Sequence, residues 1–177
     1  IDEAHATGII GARGEGLVQH LQLQHKIFAR VHTFGKACGC HGAVVLGSIQ
    51  LRDFLINFSR SLMYSTSLPA HTIQVIRESY TTFPVMTEER SHLQHLIQLF
   101  QLATIKFQKF PSTTPIQIVM VPGNEAVKHL AKTLQDNNFD VRPILYPTVP
   151  KEKERLRIVL HAFNTIDELN RLITLLQ

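Results

Sequence analysis

The residues best suited to chemistry lie between Val31 and Gly42, V-H-T-F-G-K-A-C-G-C-H-G, with Lys36 at their centre. An apolar-rich run, Ile27 to Val31, leads into the lysine, and Gly35, Ala37, Gly39 and Gly42 surround it with small residues. Two readings fit this pattern. In one, Gly35 and Gly39 make a turn after a strand and Lys36 points into water. In the other, the glycines clear space for a planar cofactor, and Lys36 anchors it as a Schiff base. A lysine amine is a nucleophile only once its ammonium loses a proton, and a cramped, partly desolvated, cation-rich pocket favours that loss. Spacing alone leaves both open.

The other chemical candidates are also ambiguous one by one. Asp2 by itself is an ordinary capping or surface carboxylate, His5 a structural histidine, and Ser65 and Thr66 hydroxyls that bond a turn. Asp2-Glu3-Ala4-His5 also spells a helicase box whose acids hold magnesium beside a nucleotide. That reading needs a G-x-x-x-x-G-K-[ST] phosphate loop upstream, and nothing after Asp2 looks like a further helicase element. Arg155 and Arg157 are planar donors suited to a carboxylate. They are two residues apart and share a face on a strand, so spacing cannot choose between them. Cys38 and Cys40 are the only cysteines, and the ten histidines make no zinc spacing with them, so no metal site is expected. A disulfide across one residue would be strained, which suits a reducing cytosol.

Several elements must position these groups. Ile1 to Glu3 reads as a strand end, and Gly8 to Gly16 as a glycine-rich loop that allows close backbone approach. Lys26 to Thr33 is a strand leading to Lys36, and Ala43 to Leu46 a short buried strand. Gly47-Ser48 opens a helix with Leu51, Phe54, Leu55 and Phe58 on one side. Met63 to Leu68 reads as extended, Pro69 begins a helix, and Pro84 breaks it. Thr87 starts a long helix with Leu93, Leu96, Ile97, Phe100, Ala103 and Phe107 at core spacing. Strands are expected at 116–121, 141–146 and 156–161. Ala126, Val127, Leu130 and Leu134 give the helix after Gly123 its inner face. Thr165 and Glu168 form a capping box ahead of a final amphipathic helix. The expected division is a domain over 1–84 and a smaller α+β domain over 85–177.

Composition narrows the class. The 177 residues are 44% apolar and 18% charged, enough for one real core or one and a half small ones. No apolar run approaches the ~20 residues that span a bilayer, and no signal-peptide pattern is present. The net charge of +4 is scattered, and the densest group, Lys151 to Arg157, is interleaved with Glu152 and Glu154. No stripe tracks phosphates, so neither nucleic acid nor a membrane is an expected partner.

Taken together, the motifs carry a resemblance. Thr33-Phe34-Gly35-Lys36-Ala37 with Gly39 and Gly42 resembles the pyridoxal-phosphate attachment motif of class-II aminotransferases, and more narrowly of the α-oxoamine synthases. The likeness includes Asp2 to His5, Gly8, Gly11 to Gly14, Gly16-Leu17, Gly47-Ser48, Ser65 to Pro69, Pro147 to Pro150 and Arg155 to Ile158, in the family's order across the whole chain. Cys38 and Ala6 depart from it, being similar in size to the usual residues. The resemblance implies an α/β fold: part of the large cofactor domain of a fold-type I enzyme, followed by its small α+β domain. It implies pyridoxal 5'-phosphate held by Lys36, with Asp2 at the ring nitrogen, His5 at the phenolic oxygen and Thr33 at the phosphate. Ser65 and Thr66 would reach a neighbouring subunit's site in a cytoplasmic homodimer. Arg157 takes the family's position for the substrate carboxylate, with Thr148 nearby, and Lys36 with His5 forms the catalytic pair.

The implied reaction joins an amino acid to an acyl thioester with loss of carbon dioxide. Arg157 to Thr165 is most similar to members that use L-alanine and a pimeloyl thioester for biotin synthesis. Sister members taking glycine or serine share P-T-V-P and R-L-R. The resemblance also implies that the chain is roughly the C-terminal half of a longer enzyme and is inactive alone.

Overall fold

In the computed structural model, which describes residues 1–177, the chain divides into two units, Ile1–Thr87 and Glu88–Gln177. The sequence places the division at 84/85. The first unit begins with α1 (Leu17–His20), then the strands β1 (Ala29–Thr33) and β2 (Ala43–Gly47). These pair antiparallel, Ala29 opposite Gly47 and Thr33 opposite Ala43, and Asp2 adds one parallel bridge to Val31. Three helices follow: α2 (Ile49–Phe58), α3 (Arg60–Met63) and α4 (Ala70–Thr82), the last ending in a 3-10 turn over Phe83–Val85. Pro84 sits in that turn because its ring removes the amide a continuing helix needs.

Glycine sets the first turns. Gly8 donates its amide to the Gly14 carbonyl at 2.8 Å, and Gly14 has φ 70. A Cβ on Gly14 would lie 2.9 Å from the Gly8 backbone, so any side chain would push the loop apart. The core of this unit is small: Phe34, Cys38 and Phe83, with Val44, Ile76 and Met86 against them.

Three expectations are corrected in this unit. The strand expected at 26–33 is confined to Ala29–Thr33. The strand expected at 43–46 forms, but it is largely exposed rather than buried. Met63 to Leu68 is not extended from its start, since Met63 closes α3. Ser48 caps α2 as expected, its hydroxyl accepting from the Leu51 amide at 3.1 Å. No residue of α2 is buried, however, and Phe54 and Phe58 are exposed. The periodicity marked a helix correctly, but the chain provides nothing to cover its apolar stripe.

The second unit is α+β. It comprises α5 (Thr87–Leu102), β3 (Ile116–Met120), α6 (Asn124–Asp136), β4 (Arg142–Ile144), β5 (Arg155–Val159) and α7 (Ile166–Leu175). The strands form an antiparallel sheet ordered β3-β5-β4. Leu156 and Ile158 of β5 are buried while Arg157 and Val159 are exposed, the period-two alternation of a one-sided sheet. Leu96 and Phe100 of α5, Val127 and Leu134 of α6, and Leu169 and Leu176 at α7 complete the core. Burying each such side chain contributes roughly 1.5–3 kcal/mol. α5 ends at Leu102, so Ala103 and Phe107 lie beyond it instead of on its expected stripe.

Candidate functional site

β1 organises the first unit's polar groups. Asp2 and Val31 are bridge partners, so Asp2, Val31 and Thr33 point to one face while Arg30 and His32 point to the other. Asp2 Oδ1 accepts from the Ala4 amide at 2.7 Å, which fixes the carboxylate at the turn carrying His5. Asp2 and His5 are both exposed.

Lys36 sits in the loop between β1 and β2. The Phe34 amide bonds the Gly42 carbonyl (2.9 Å), the Cys40 amide bonds the Phe34 carbonyl (2.8 Å), and the Gly39 amide bonds the Lys36 carbonyl (2.9 Å). Gly42 at φ 108 closes the loop against Leu68, whose Cδ1 would lie 2.8 Å from a Cβ there. Phe34 and Cys38 point inward, and the Cys38 carbonyl accepts from Ser79 of α4 at 3.2 Å. With the loop's apolar side anchored to α4, Lys36 is left exposed, and its Nζ lies 3.4 Å from Thr33 Oγ1. Thr33 and Lys36 are therefore brought together at the strand end, on the face that Asp2 shares.

Behind this face lies a network that sequence reasoning missed. Glu3 is 1% exposed and accepts from the Leu17 (2.9 Å) and Val18 (2.8 Å) amides. Both its oxygens are occupied by backbone, so Asp2 and Glu3 do not present a paired-acid magnesium site as a helicase box would. Thr7 donates to the Glu3 carbonyl at 2.9 Å and contacts His32 Nδ1 at 2.8 Å. The hydroxyl has one proton, so Nδ1–H must be the donor to Thr7. Burial holds the His32 pKa below its ordinary value, against the raising effect of Glu3. The available signal was a polar residue alternating with apolar ones on a strand, too common to single out.

Ser65 and Thr66 are exposed in the segment between α3 and α4. Ser65 Oγ donates to the Leu62 carbonyl at 2.8 Å, the turn-bonding alternative seen in the sequence. No bond joins either residue to Lys36.

Arg157 and Thr148 belong to the second unit. Arg157 lies mid-strand on the exposed face of β5, opposite Ile118 of β3 and Arg142 of β4. Arg155, the other candidate, donates from Nε to the Lys153 carbonyl at 2.8 Å, whereas Arg157 makes no ion pair. Thr148 is exposed in the loop after β4. Asn124 braces this loop, its Oδ1 accepting from the Tyr146 amide at 3.0 Å and its Nδ2 donating to the Tyr146 carbonyl at 3.3 Å.

Comparison with known proteins adds to this geometry. The family model described as aminotransferase class I and II matches residues 1–176. The 8-amino-7-oxononanoate synthase of Emericella nidulans is 40% identical over 185 residues, covering 98% of this chain and 44% of that one. The crystal structure of 8-amino-7-oxononanoate synthase from Francisella tularensis superposes with a TM-score of 0.86 at 26% identity, over 99% of this chain and 52% of that one. A structure of SPT with a PLP internal aldimine has the same fold, with a TM-score of 0.84 at 21% identity over 99% of this chain and 45% of that one. The chain thus spans about half the length, or less, of the proteins it matches.

Proposed function

The chain belongs to the aminotransferase class I and II family, and from that premise we propose that it is part of a pyridoxal-phosphate-dependent acyltransferase. The proposed reaction joins L-alanine to a pimeloyl thioester, from the coenzyme A or carrier protein form, and releases carbon dioxide to give 8-amino-7-oxononanoate. The observation that carries this reading is the strand-end constellation in the first unit. Lys36 Nζ is 3.4 Å from the Thr33 hydroxyl, and Asp2 points to the face that Thr33 shares.

The donor set fits pyridoxal 5'-phosphate. Lys36 would hold it, Thr33 would donate to its phosphate, and Asp2, with Oδ1 on the Ala4 amide and Oδ2 available, would take its ring nitrogen. The exposed His5 imidazole would meet its phenolic oxygen. When bound, the group supplies an electron sink for negative charge developing at the substrate's α-carbon. Lys36 Nζ, once released from anchoring, takes and returns the α-proton. Arg157 presents the fork that matches a carboxylate, and Thr148 stands on a braced loop as a second polar group.

Identity with 8-amino-7-oxononanoate synthases favours alanine and pimeloyl substrates, and the fold shared with SPT makes a sister enzyme using serine or glycine the second reading. No helix is long and apolar enough to cross a membrane. We place the whole enzyme in the cytoplasm as a homodimer with Ser65 and Thr66 serving the partner's site. The 177-residue chain alone would be inactive.

Assay of the complete enzyme with pimeloyl-CoA tests the reading. Release of carbon dioxide and 8-amino-7-oxononanoate with alanine supports it. Turnover only with glycine or serine moves the assignment to the sister activity, and no turnover with any amino acid removes both.

A further inference from the structure

We propose that Arg142 is a second carboxylate-binding guanidinium beside Arg157, positioned by Asp140, so that β4 and β5 together form a two-guanidinium subsite. This rests on the reading of Arg157 given above and adds Arg142 and Asp140 to it.

Register provides the first argument. Arg142 and Arg157 are Cα partners across the antiparallel β4–β5 pair, so their side chains leave the same face with Cβ atoms roughly 4.5–5.5 Å apart. Like charges placed directly opposite destabilise a sheet unless something neutralises them. Here one carboxylate serves two cations. Asp140 Oδ1 bonds Arg142 Nε at 2.7 Å, and Arg157 has no ion-pair partner. The arrangement is therefore one negative charge short, on a face where both guanidiniums are exposed.

The surroundings provide the second. Arg142 and Arg157 both line a cleft of about 810 Å³, within the size range of small-molecule sites. The other charged groups of that cleft are already committed. Glu168 accepts from the Thr165 amide at 2.9 Å in the capping box of α7, and the Arg171 guanidinium lies 5.6 Å over the Phe139 ring. Because Asp140 engages Arg142 through Nε, the terminal nitrogens of Arg142 stay available beside the whole fork of Arg157. The chemical class taken is a carboxylate, carried by the amino acid or by the far end of a dicarboxylic acyl chain.

The complete enzyme tests this through Arg142→Gln, Arg142→Lys, Asp140→Asn and Arg157→Gln, with L-alanine affinity read by calorimetry and KM for pimeloyl-CoA read by turnover. Loss of one charge-assisted contact predicts an about tenfold weaker Kd for alanine in R142Q. R142K should recover part of it, D140N should lie between, and kcat should change far less than affinity. A rise confined to the KM for pimeloyl-CoA also supports the subsite and identifies its ligand as the acyl chain's carboxylate. If R142Q, R142K and D140N leave both constants unchanged while R157Q weakens alanine binding, Arg142 has no such role and the reading of Arg157 survives. If R157Q also changes neither, that reading falls and takes the subsite with it.

Discussion

At Lys36, a single amine carries the proposed chemistry, and its position follows from a few contacts. Phe34 and Cys38 fasten the loop's inner side, which leaves the lysine outside beside Thr33. Lys36→Ala in the complete enzyme should abolish product formation, and Asp2→Asn should lower turnover by about 10²–10⁴, the range typical of a positioned proton-handling group. Both are read from steady-state kinetics with folding checked by circular dichroism. Behind the site, His32 makes a separate prediction about stability. Its folded pKa is held below 6.5 by burial, so the unfolded chain binds more protons as pH falls through that value. The stability it contributes is full above about pH 6.5 and is lost as pH drops toward the depressed folded pKa. Denaturant unfolding at several pH values should show this slope, and His32→Phe should flatten it. Thr7→Val leaves the His32 Nδ1–H unsatisfied and should cost about 1–3 kcal/mol.

Among the elements, the second unit shows how helix ends and loops are held. The capping box of α7 is present in both directions: Glu168 N bonds Thr165 Oγ1 at 3.1 Å, and Thr165 N bonds Glu168 Oε2 at 2.9 Å. Thr165→Ala should lower stability by about 1 kcal/mol. At the other end of α5, Lys109 Nζ donates to the carbonyls of Phe100 (2.7 Å), Gln101 (2.9 Å) and Ala103, supplying the partners a helix C-terminus lacks. Lys109→Met should cost roughly 1.5–3 kcal/mol by thermal or urea unfolding, because hydrogen bonds from a charged donor are lost. Glu154, buried behind the P-T-V-P loop, accepts from the Gly123 amide at 2.9 Å, and that bond first of all holds its pKa below 4.5. Its contribution is therefore present above about pH 4.5 and lost as pH falls through the lower folded value. Glu154→Gln should weaken the acid limb of the unfolding curve.

These elements also show what the sequence revealed. Helices at 70–82, 124–136 and 166–175, the α7 capping box and the strands of the second unit were legible because their apolar periods match faces that the unit itself buries. The stripe on α2 and the strand at 43–47 were legible as elements but not as exposed ones, because periodicity reports a preference for burial and not the presence of a covering surface. The Lys36 motif could be read because glycines bracket a reactive side chain. The Glu3–Thr7–His32 network could not, because each bond joins ordinary residues that only the folded backbone brings together.

For the whole molecule, the two units differ in completeness. The second buries a continuous core, while the first leaves Phe28 (79% exposed), Phe54 (59%), Phe58 (68%) and Tyr64 (80%) in water. Apolar surface on this scale favours association. The 177-residue chain should therefore self-associate with rising concentration in sedimentation experiments, and Phe54→Ser with Phe58→Ser should reduce that tendency. The central claim concerns Lys36 as the covalent anchor of pyridoxal phosphate, and the most direct measurement is to trap it there. The complete enzyme would be incubated with the cofactor, reduced with borohydride, digested and analysed by mass spectrometry. The account predicts a pyridoxyl adduct on Lys36 and none in Lys36→Ala. An adduct on another lysine, or none with Lys36 intact, would contradict it and return Lys36 to a solvated loop residue.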